Sequence, residues 1–379
     1  MSTFLGIGFG PIQTGIFLKG AFEGGMDRLV IAEVDQNLVD AVRAADGEVT
    51  INIAAVDRIY QETFSGVEIY NPTVDADLEK LIAIAAEADE IATALPGVDF
   101  FKFIVPWLKK GFLQAPDKKR FIYTAENNNH AAEVLAEALG DEVENCYCLN
   151  TVVGKMSGVI SEAEGAERKL SMLCPAADKG HLVEEFSQIF ISQASGIDKR
   201  SIAGLYEKDD LYPFEEAKLY GHNAIHFLLG ALGKAQGYTY MSELAAVDEL
   251  MALAEQAFIE ECGVALCKKY SGVDELFTPA GFKNYADDLL KRMTNPFLTD
   301  AIDRITRDLP RKLSWNDRII GTMRLALEQG IAPTIIARGA TLAATELFGK
   351  TPEEITAGSK ELWPSPWGKE HQRLLDLMM

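Results

Sequence analysis

Apolar positions in the first half of the chain fall in short runs separated by amphipathic stretches. The first run, Thr3 to Gly8, meets glycines before a helical pattern opens near Pro11. The second, Arg28 to Asp35, ends in acids and leads into the amphipathic QNLVDAVRAA. GVEIYN, EIATALPG and RFIYTAEN follow, with the helix-spaced ADLEKLIAIAAEA and FKFIVPWLKK among them. Strands alternating with helices predict a Rossmann-like, doubly wound parallel α/β sheet. The stretch EVTINIAAVDRIYQETFSGV alternates with period two, which predicts an antiparallel hairpin inserted between the regular units.

From about Leu182 onward the strand pattern stops. AAVDELMALAEQAFIEECGVALCKKY, FKNYADDLLKRM and NDRIIGTMRLALEQG all repeat at helical spacing. Ser314 and Asn316 precede the last of these as candidate caps. The expected organisation is therefore an α/β domain over residues 1–190 and a mostly α-helical domain over 191–379. The boundary is placed between Phe186 and Gly196, where no Ser/Gly linker stands.

A chain of 379 residues can hold two such cores. Its formal net charge of -21 opposes binding to nucleic-acid phosphates and to anionic membranes. Five scattered cysteines without a CxxC pair fit a reducing cytoplasm, and Cys146 and Cys148 lack a partner pair for zinc. The apolar N-terminus has no positive n-region, so it does not read as a signal peptide. No stretch approaches about 20 uninterrupted apolar residues, which argues against a membrane span.

Two segments carry chemistry. In GFGPIQTG, Gly8 permits a tight turn and Gly10 removes a side chain where a pyrophosphate would approach the backbone. Pro11 and Ile12 open a helix whose N–H groups would hold that pyrophosphate. Gln13 stands where a third glycine is usual, with Gly15 two residues later. A plain glycine-rich turn would read similarly. Glu33, at the end of the next strand, is placed to bind adenosine ribose hydroxyls and to repel a 2′-phosphate, so NAD is expected rather than NADP. Asp35 is the second candidate there.

The other segment is KLYGHNAIH, residues 218–226. With Lys218 at zero on an α-helix, His222 falls at about 40°, His226 at about 80° and Asn223 at about 140°. The apolar FLLGALGKAQGY that follows predicts a buried helix, and burial lowers the pKa of a lysine toward a useful base. His222 and His226 also have the spacing of a zinc pair, without the glutamate of HExxH or an evident third ligand. A structural polar network is the remaining alternative.

Lys218, Asn223 and His226 follow the K-x4-N-x2-H pattern, and with SGVEIYNP, YTAENNNHA and NPFLTDAIDRITRDLPRKLS the chain resembles the polyol-specific long-chain dehydrogenases, the mannitol dehydrogenase family. The likeness is greatest to members acting on phosphates of the mannitol 1-phosphate type. The resemblance implies a monomeric, cytoplasmic, metal-independent NAD oxidoreductase. Lys218 would be the base, Asn223 and Asn127 would stabilise the alkoxide, and His226 would orient the substrate. It also places Arg304 near the substrate. Arg311, Lys312 and His222 join it as candidate substrate contacts, with Arg307 as open to surface pairing as to binding. The chain departs from the family pattern at Gln13, Ala125, His222 and Gly154. A polyol phosphate, a free polyol or a hexonate remains open as substrate, and a non-catalytic dinucleotide sensor is the reading from another class.

Overall fold

A computed structural model describes residues 1–194 and 200–379, in two compact units, Met1–Tyr212 and Pro213–Met379. In the first, β1 (Thr3–Ile7) and β2 (Arg28–Ala32) precede a hairpin of β3 (Val49–Ala54) and β4 (Ile59–Phe64). Then come β5 (Val67–Tyr70), β6 (Glu90–Thr93), β7 (Arg120–Thr124) and β8 (Cys146–Val152). The strands β9 (Ser157–Ser161), β10 (Lys179–Glu184), β11 (Ile189–Ser192) and β12 (Leu205–Lys208) complete the unit.

The main sheet has the order β12-β11-β8-β7-β6-β1-β2-β5. Every neighbouring pair from β5 to β8 is parallel, which is the doubly wound arrangement expected. The strand order reverses between β1 and β6, and such a switch point opens a crevice at the carboxyl ends of the strands. Side chains alternate between two buried clusters. Phe4, Leu29 and Ile31 join the helix Gln36–Ala44 on one face, while Leu5, Ile7 and Val30 join Asp75–Glu87 and Phe101–Phe112 on the other. Strands covered on both faces read as continuous apolar runs, as these do.

The hairpin of β3 and β4 is antiparallel, as its alternation predicts, with Val49 opposite Phe64 and Ala54 opposite Ile59. It belongs to a second sheet, β4-β3-β10-β9. Strand pairing continues past Leu182, against the expectation. β10 pairs with β3 in parallel and with β9 antiparallel, and β11 adds to β8 with β12 beside it. β11 and β12 have four residues each, too short for a period to show. They carry the first unit to residue 212, so the division falls at 212/213 rather than 190/191. The Gly196 end of the expected boundary lies outside the described residues.

The second unit is helical. The helix Asn223–Ala235 buries Ala224, Ile225, Phe227, Leu228, Leu229 and Ala231, around nearly its whole circumference. The helices Ile302–Thr306 and Thr334–Phe348 pack against it. Pro279 stands in the first turn of the helix Pro279–Met293, and the Thr278 hydroxyl accepts from Gly281 N–H at 3.0 Å to cap it. The helix after NDR begins at Ile320 without a side-chain cap, so Ser314 and Asn316 do not serve there. Asn316 Oδ1 instead accepts from Arg324 Nη1 at 2.9 Å. No described helix is long and apolar enough to cross a membrane.

Candidate active site

The turn after β1 is built for a backbone that something approaches closely. Gly8 has φ +85° and donates its N–H to the Ala32 carbonyl at 2.9 Å. A Cβ there would lie 2.8 Å from the Ala94 carbonyl oxygen. Gly10 faces open space, with nothing within 4 Å of an added Cβ. Pro11 and Ile12 form the first helical turn, and Thr14 N–H donates to the Gly10 carbonyl at 3.0 Å. Gly8, Phe9, Gly10, Glu33, Ala94 and Phe103 are among the residues lining a cleft of about 620 Å³.

Glu33 follows β2 directly, with its N–H donating to the Tyr70 carbonyl at 3.0 Å and its Oε1 accepting from Asp35 N–H at 2.9 Å. Asp35 has a different task. It caps the helix Gln36–Ala44 and pairs with Lys179 at 2.8 Å, and that hydrogen bond holds its carboxyl below the usual range. Glu33 is thus the carboxylate that lines the cleft. Bare backbone at Gly10, free N–H groups at a helix start and an acid at the end of β2 fit a dinucleotide's pyrophosphate and ribose.

Gln13 lies elsewhere than expected. It is fully buried beneath the loop, its Nε2 donates to the Ala92 carbonyl at 3.3 Å, and it fills the space a Cβ on Gly6 would need. Its side chain does not line the cleft. The close-packing role of a third glycine falls to Gly15, whose added Cβ would sit 2.7 Å from Val183 Cγ1 on β10. A π-helical turn, Gln13–Leu18, runs through this contact. Beside it Thr14 Oγ1 lies 2.8 Å from His181 Nδ1, and burial lowers His181 to about 3, so the imidazole is neutral. Sequence reasoning missed His181 because β10 was not recognised as a strand.

In the second unit KLYGHNAIH begins as a π-helical turn, Ala217–His222, and continues as the helix Asn223–Ala235. Hydrogen bonds in a π turn reach five residues, so an α-helical wheel does not carry across it. His222 is buried, 6% exposed, while Lys218, Asn223 and His226 keep partial exposure. The turn is latched from outside. Tyr220 O–H donates to the Asn316 carbonyl at 3.2 Å, while the Thr322 hydroxyl donates to the Arg318 carbonyl at 2.6 Å and lies 3.3 Å from the Tyr220 carbonyl. Gly321 abuts the Tyr220 ring so closely that a Cβ would lie 2.5 Å away.

Among the described residues the Lys218 ammonium makes no hydrogen bond or ion pair, nor does the Asn223 amide make a side-chain hydrogen bond. Burial first, then the positive charge of Arg318, bring Lys218 down to about 8, against the opposing pull of Glu215. Such a group can exchange a proton with a bound hydroxyl near neutral pH. The rings of His222 and His226 lie 5.9 Å apart. Burial, and after it His226 and Arg292, hold His222 well below the ordinary histidine range, so it is no cationic contact. His226 Nε2 lies 3.1 Å from Asp300 Oδ2. Burial alone would raise the Asp300 carboxyl, but His226 and Arg304 outweigh it and keep it low. Among the described residues no three or more His, Cys, Asp or Glu side chains gather as a metal-binding group.

The remaining candidates scatter. Asn127 is exposed on the loop after β7, in the first unit. Its neighbour Glu126, which sequence reasoning left without a role, is buried and accepts from Thr93 Oγ1 at 2.8 Å and Leu95 N–H at 2.9 Å. That carboxylate fixes the loop against the end of β6. Arg304 donates through Nε to Asp300 at 2.8 Å, and Arg311 pairs with Asp308 at 2.6 Å and Asp317 at 3.1 Å. Lys312 is 4% exposed and donates to the carbonyls of Ile305 and Arg307, while burial lowers it to about 8. Each of these three cations, expected at the substrate, has an internal partner.

Residues 210–354 match the model of the mannitol dehydrogenase C-terminal domain, a span that includes Lys218, Asn223, His226 and Arg318. The chain is 33% identical over 276 residues to a mannitol-1-phosphate 5-dehydrogenase of Caldanaerobacter subterraneus subsp. tengcongensis, covering 71% of this chain and 68% of that one. The chain belongs to the mannitol dehydrogenase family. Solved structures agree in fold. A D-sorbitol dehydrogenase in substrate-free form superposes with TM-score 0.76 at 16% identity, over 99% of this chain and 92% of its own. Pseudomonas fluorescens mannitol 2-dehydrogenase, in a ternary complex with NAD and D-mannitol, gives 0.71 at 15% identity, over 100% and 90%. An α/β unit followed by a helical unit is thus the architecture this mannitol dehydrogenase family member shares with them.

Proposed function

We propose that the protein is an NAD-dependent dehydrogenase interconverting a polyol phosphate of the mannitol 1-phosphate type with its ketose phosphate, of the fructose 6-phosphate type. The observation that carries this reading is Lys218, an ammonium with no partner among the described residues and a pKa brought to about 8. The family membership and the name borne by the Caldanaerobacter relative support the substrate class.

In the oxidising direction Lys218 takes the hydroxyl proton of the substrate. The amide donor of Asn223 stabilises the alkoxide that develops, and Asn127 is the second amide the family pattern assigns to that role. His226, held by Asp300, accepts or donates a hydrogen bond to a neighbouring hydroxyl and fixes the carbon chain. Gly10 and Ile12 hold the dinucleotide through backbone N–H groups and Glu33 through its carboxylate, while Gly8 and Pro11 shape the turn that presents them. NAD, when bound, supplies the hydride acceptor. The same reading keeps the enzyme cytoplasmic and monomeric and needs no metal.

The test is NADH oxidation by the purified protein against fructose 6-phosphate, fructose, fructuronate and tagaturonate, with chelator present. Turnover of fructose 6-phosphate ahead of the others is the expected result. Turnover of fructose or a uronate instead moves the substrate to a free polyol or a hexonate. NADH binding without turnover of any of them overturns the enzyme reading in favour of a dinucleotide sensor.

A further inference from the structure

Arg318 sits just before the helix Ile320–Glu328 and is 15% exposed at its side chain. Its backbone N–H and its Nε both donate to Asp317 Oδ1, at 2.7 and 2.8 Å. Asp317 Oδ2 is taken by Arg311 at 3.1 Å. Among the described residues the two terminal amino groups of Arg318, Nη1 and Nη2, have no hydrogen-bond partner.

We propose that these two amino groups receive the phosphate of the substrate, making Arg318 the residue that selects a polyol phosphate over a free polyol. This rests on the dehydrogenase reading above and names the group that recognises its substrate class. A guanidinium anchored through Nε presents its remaining edge as a planar fork, and that fork matches two oxygens of a phosphate. Partial burial matters as well, because a well-exposed pair would contribute little.

The position suits the chemistry. Residues 316–322 are fastened to the turn that carries Lys218 by the Tyr220 bond to the Asn316 carbonyl and by the contacts of Thr322 and Gly321 on Tyr220. Arg318 is near enough for its charge to depress Lys218, His222 and Lys312 together. The phosphate of a mannitol 1-phosphate-type substrate lies toward the opposite end of the carbon chain from the carbon that is oxidised. A second anchor, separate from the base, is what such a molecule requires. Arg304, Arg311 and Lys312 are already engaged by Asp300, by Asp308 with Asp317, and by backbone carbonyls. Arg307 is exposed.

The experiment compares wild type, Arg318→Gln and Arg318→Lys with fructose 6-phosphate, fructose and fructuronate, using NADH binding as the check of fold. Arg318→Gln is expected to raise KM for fructose 6-phosphate about 10- to 100-fold, with kcat changing far less. Arg318→Lys, which keeps the charge and loses the fork, is expected to recover part of this. Inorganic phosphate should compete with fructose 6-phosphate on the wild type and much more weakly on Arg318→Gln. An unchanged KM for fructose 6-phosphate, or an equal loss on fructose, overturns the proposal, and a loss confined to fructuronate assigns the fork to a carboxylate instead. If the wild type turns over none of the three, the dehydrogenase reading fails separately. The anion seat is then decided by melting: a rise in Tm with inorganic phosphate in wild type but not in Arg318→Gln supports it, and no such difference overturns it.

Discussion

His226 Nε2 lies 3.1 Å from Asp300 Oδ2, while Oδ1 of the same buried carboxylate accepts from Arg304 Nε at 2.8 Å. Arg304 therefore reaches the site through Asp300. A carboxylate at Nε2 favours the tautomer that keeps its proton there, which leaves Nδ1 as an acceptor for a substrate hydroxyl. Asp300→Asn removes that charge while keeping the shape. It is expected to lower kcat/KM about 10- to 100-fold, the range for losing a charged partner. Steady-state kinetics of ketose reduction measure it, and a change of less than about twofold would remove Asp300 from the account of His226.

As the base of the proposed reaction, Lys218 would have to be neutral to take a proton from the substrate and protonated to return one. With a value of about 8, polyol oxidation should rise with pH and level off above that point, and ketose reduction should fall through the same region. Lys218→Ala should cost about 100- to 10,000-fold in kcat in both directions, the range for a positioned general base. Arg318 is the charge that adds to burial in lowering Lys218, so Arg318→Gln should move the oxidation limb toward higher pH. A limb that stays in place in that variant, at an unchanged pH, separates the two residues.

Periodicity made the parallel sheet legible because β1, β2, β6 and β7 are buried on both faces and read as apolar runs. It could not reveal β11 and β12, which have four residues each and take their partners from distant parts of the chain. K-x4-N-x2-H marked Lys218, Asn223 and His226, but the wheel built on them assumed an α-helix where a π turn runs. Spacing also says nothing about who is already paired. Lys312 and Arg311 look like free cations in RDLPRKLS, yet carbonyls and carboxylates engage them. Arg318, beside them in NDRIIG, drew no notice because its open fork is a matter of geometry. Gln13 similarly occupies a glycine's place in the motif while facing the interior.

Lys312 is a test of that distinction. Its ammonium closes the last carbonyls of the short helix Ile302–Thr306 by donating to Ile305 and Arg307. Lys312→Met keeps much of the apolar stem but leaves buried acceptors unpaired. The expected cost is about 1–3 kcal/mol of stability. Urea unfolding with NADH present reads that loss, and the effect on KM for fructose 6-phosphate should be much smaller than that of Arg318→Gln. A KM effect as large as that of Arg318→Gln, with normal stability, would return Lys312 to the substrate.

Glu33 and Asp35 are two acids at the end of one strand with separable work. Glu33 lines the cleft, so on the proposed reading Glu33→Ala would remove both a ribose acceptor and the repulsion of a 2′-phosphate. Its NAD:NADP ratio of kcat/KM should fall about tenfold or more, the order expected for one hydrogen bond to a charged group. Asp35 caps the helix Gln36–Ala44 and pairs with Lys179. Asp35→Ala should therefore leave the cofactor ratio in place and cost about 0.5–2 kcal/mol, as loss of a helix cap does. The two variants measured side by side decide which carboxylate reads the cofactor. A ratio that falls in Asp35→Ala and holds in Glu33→Ala moves the ribose contact to Asp35, which would then combine it with the cap.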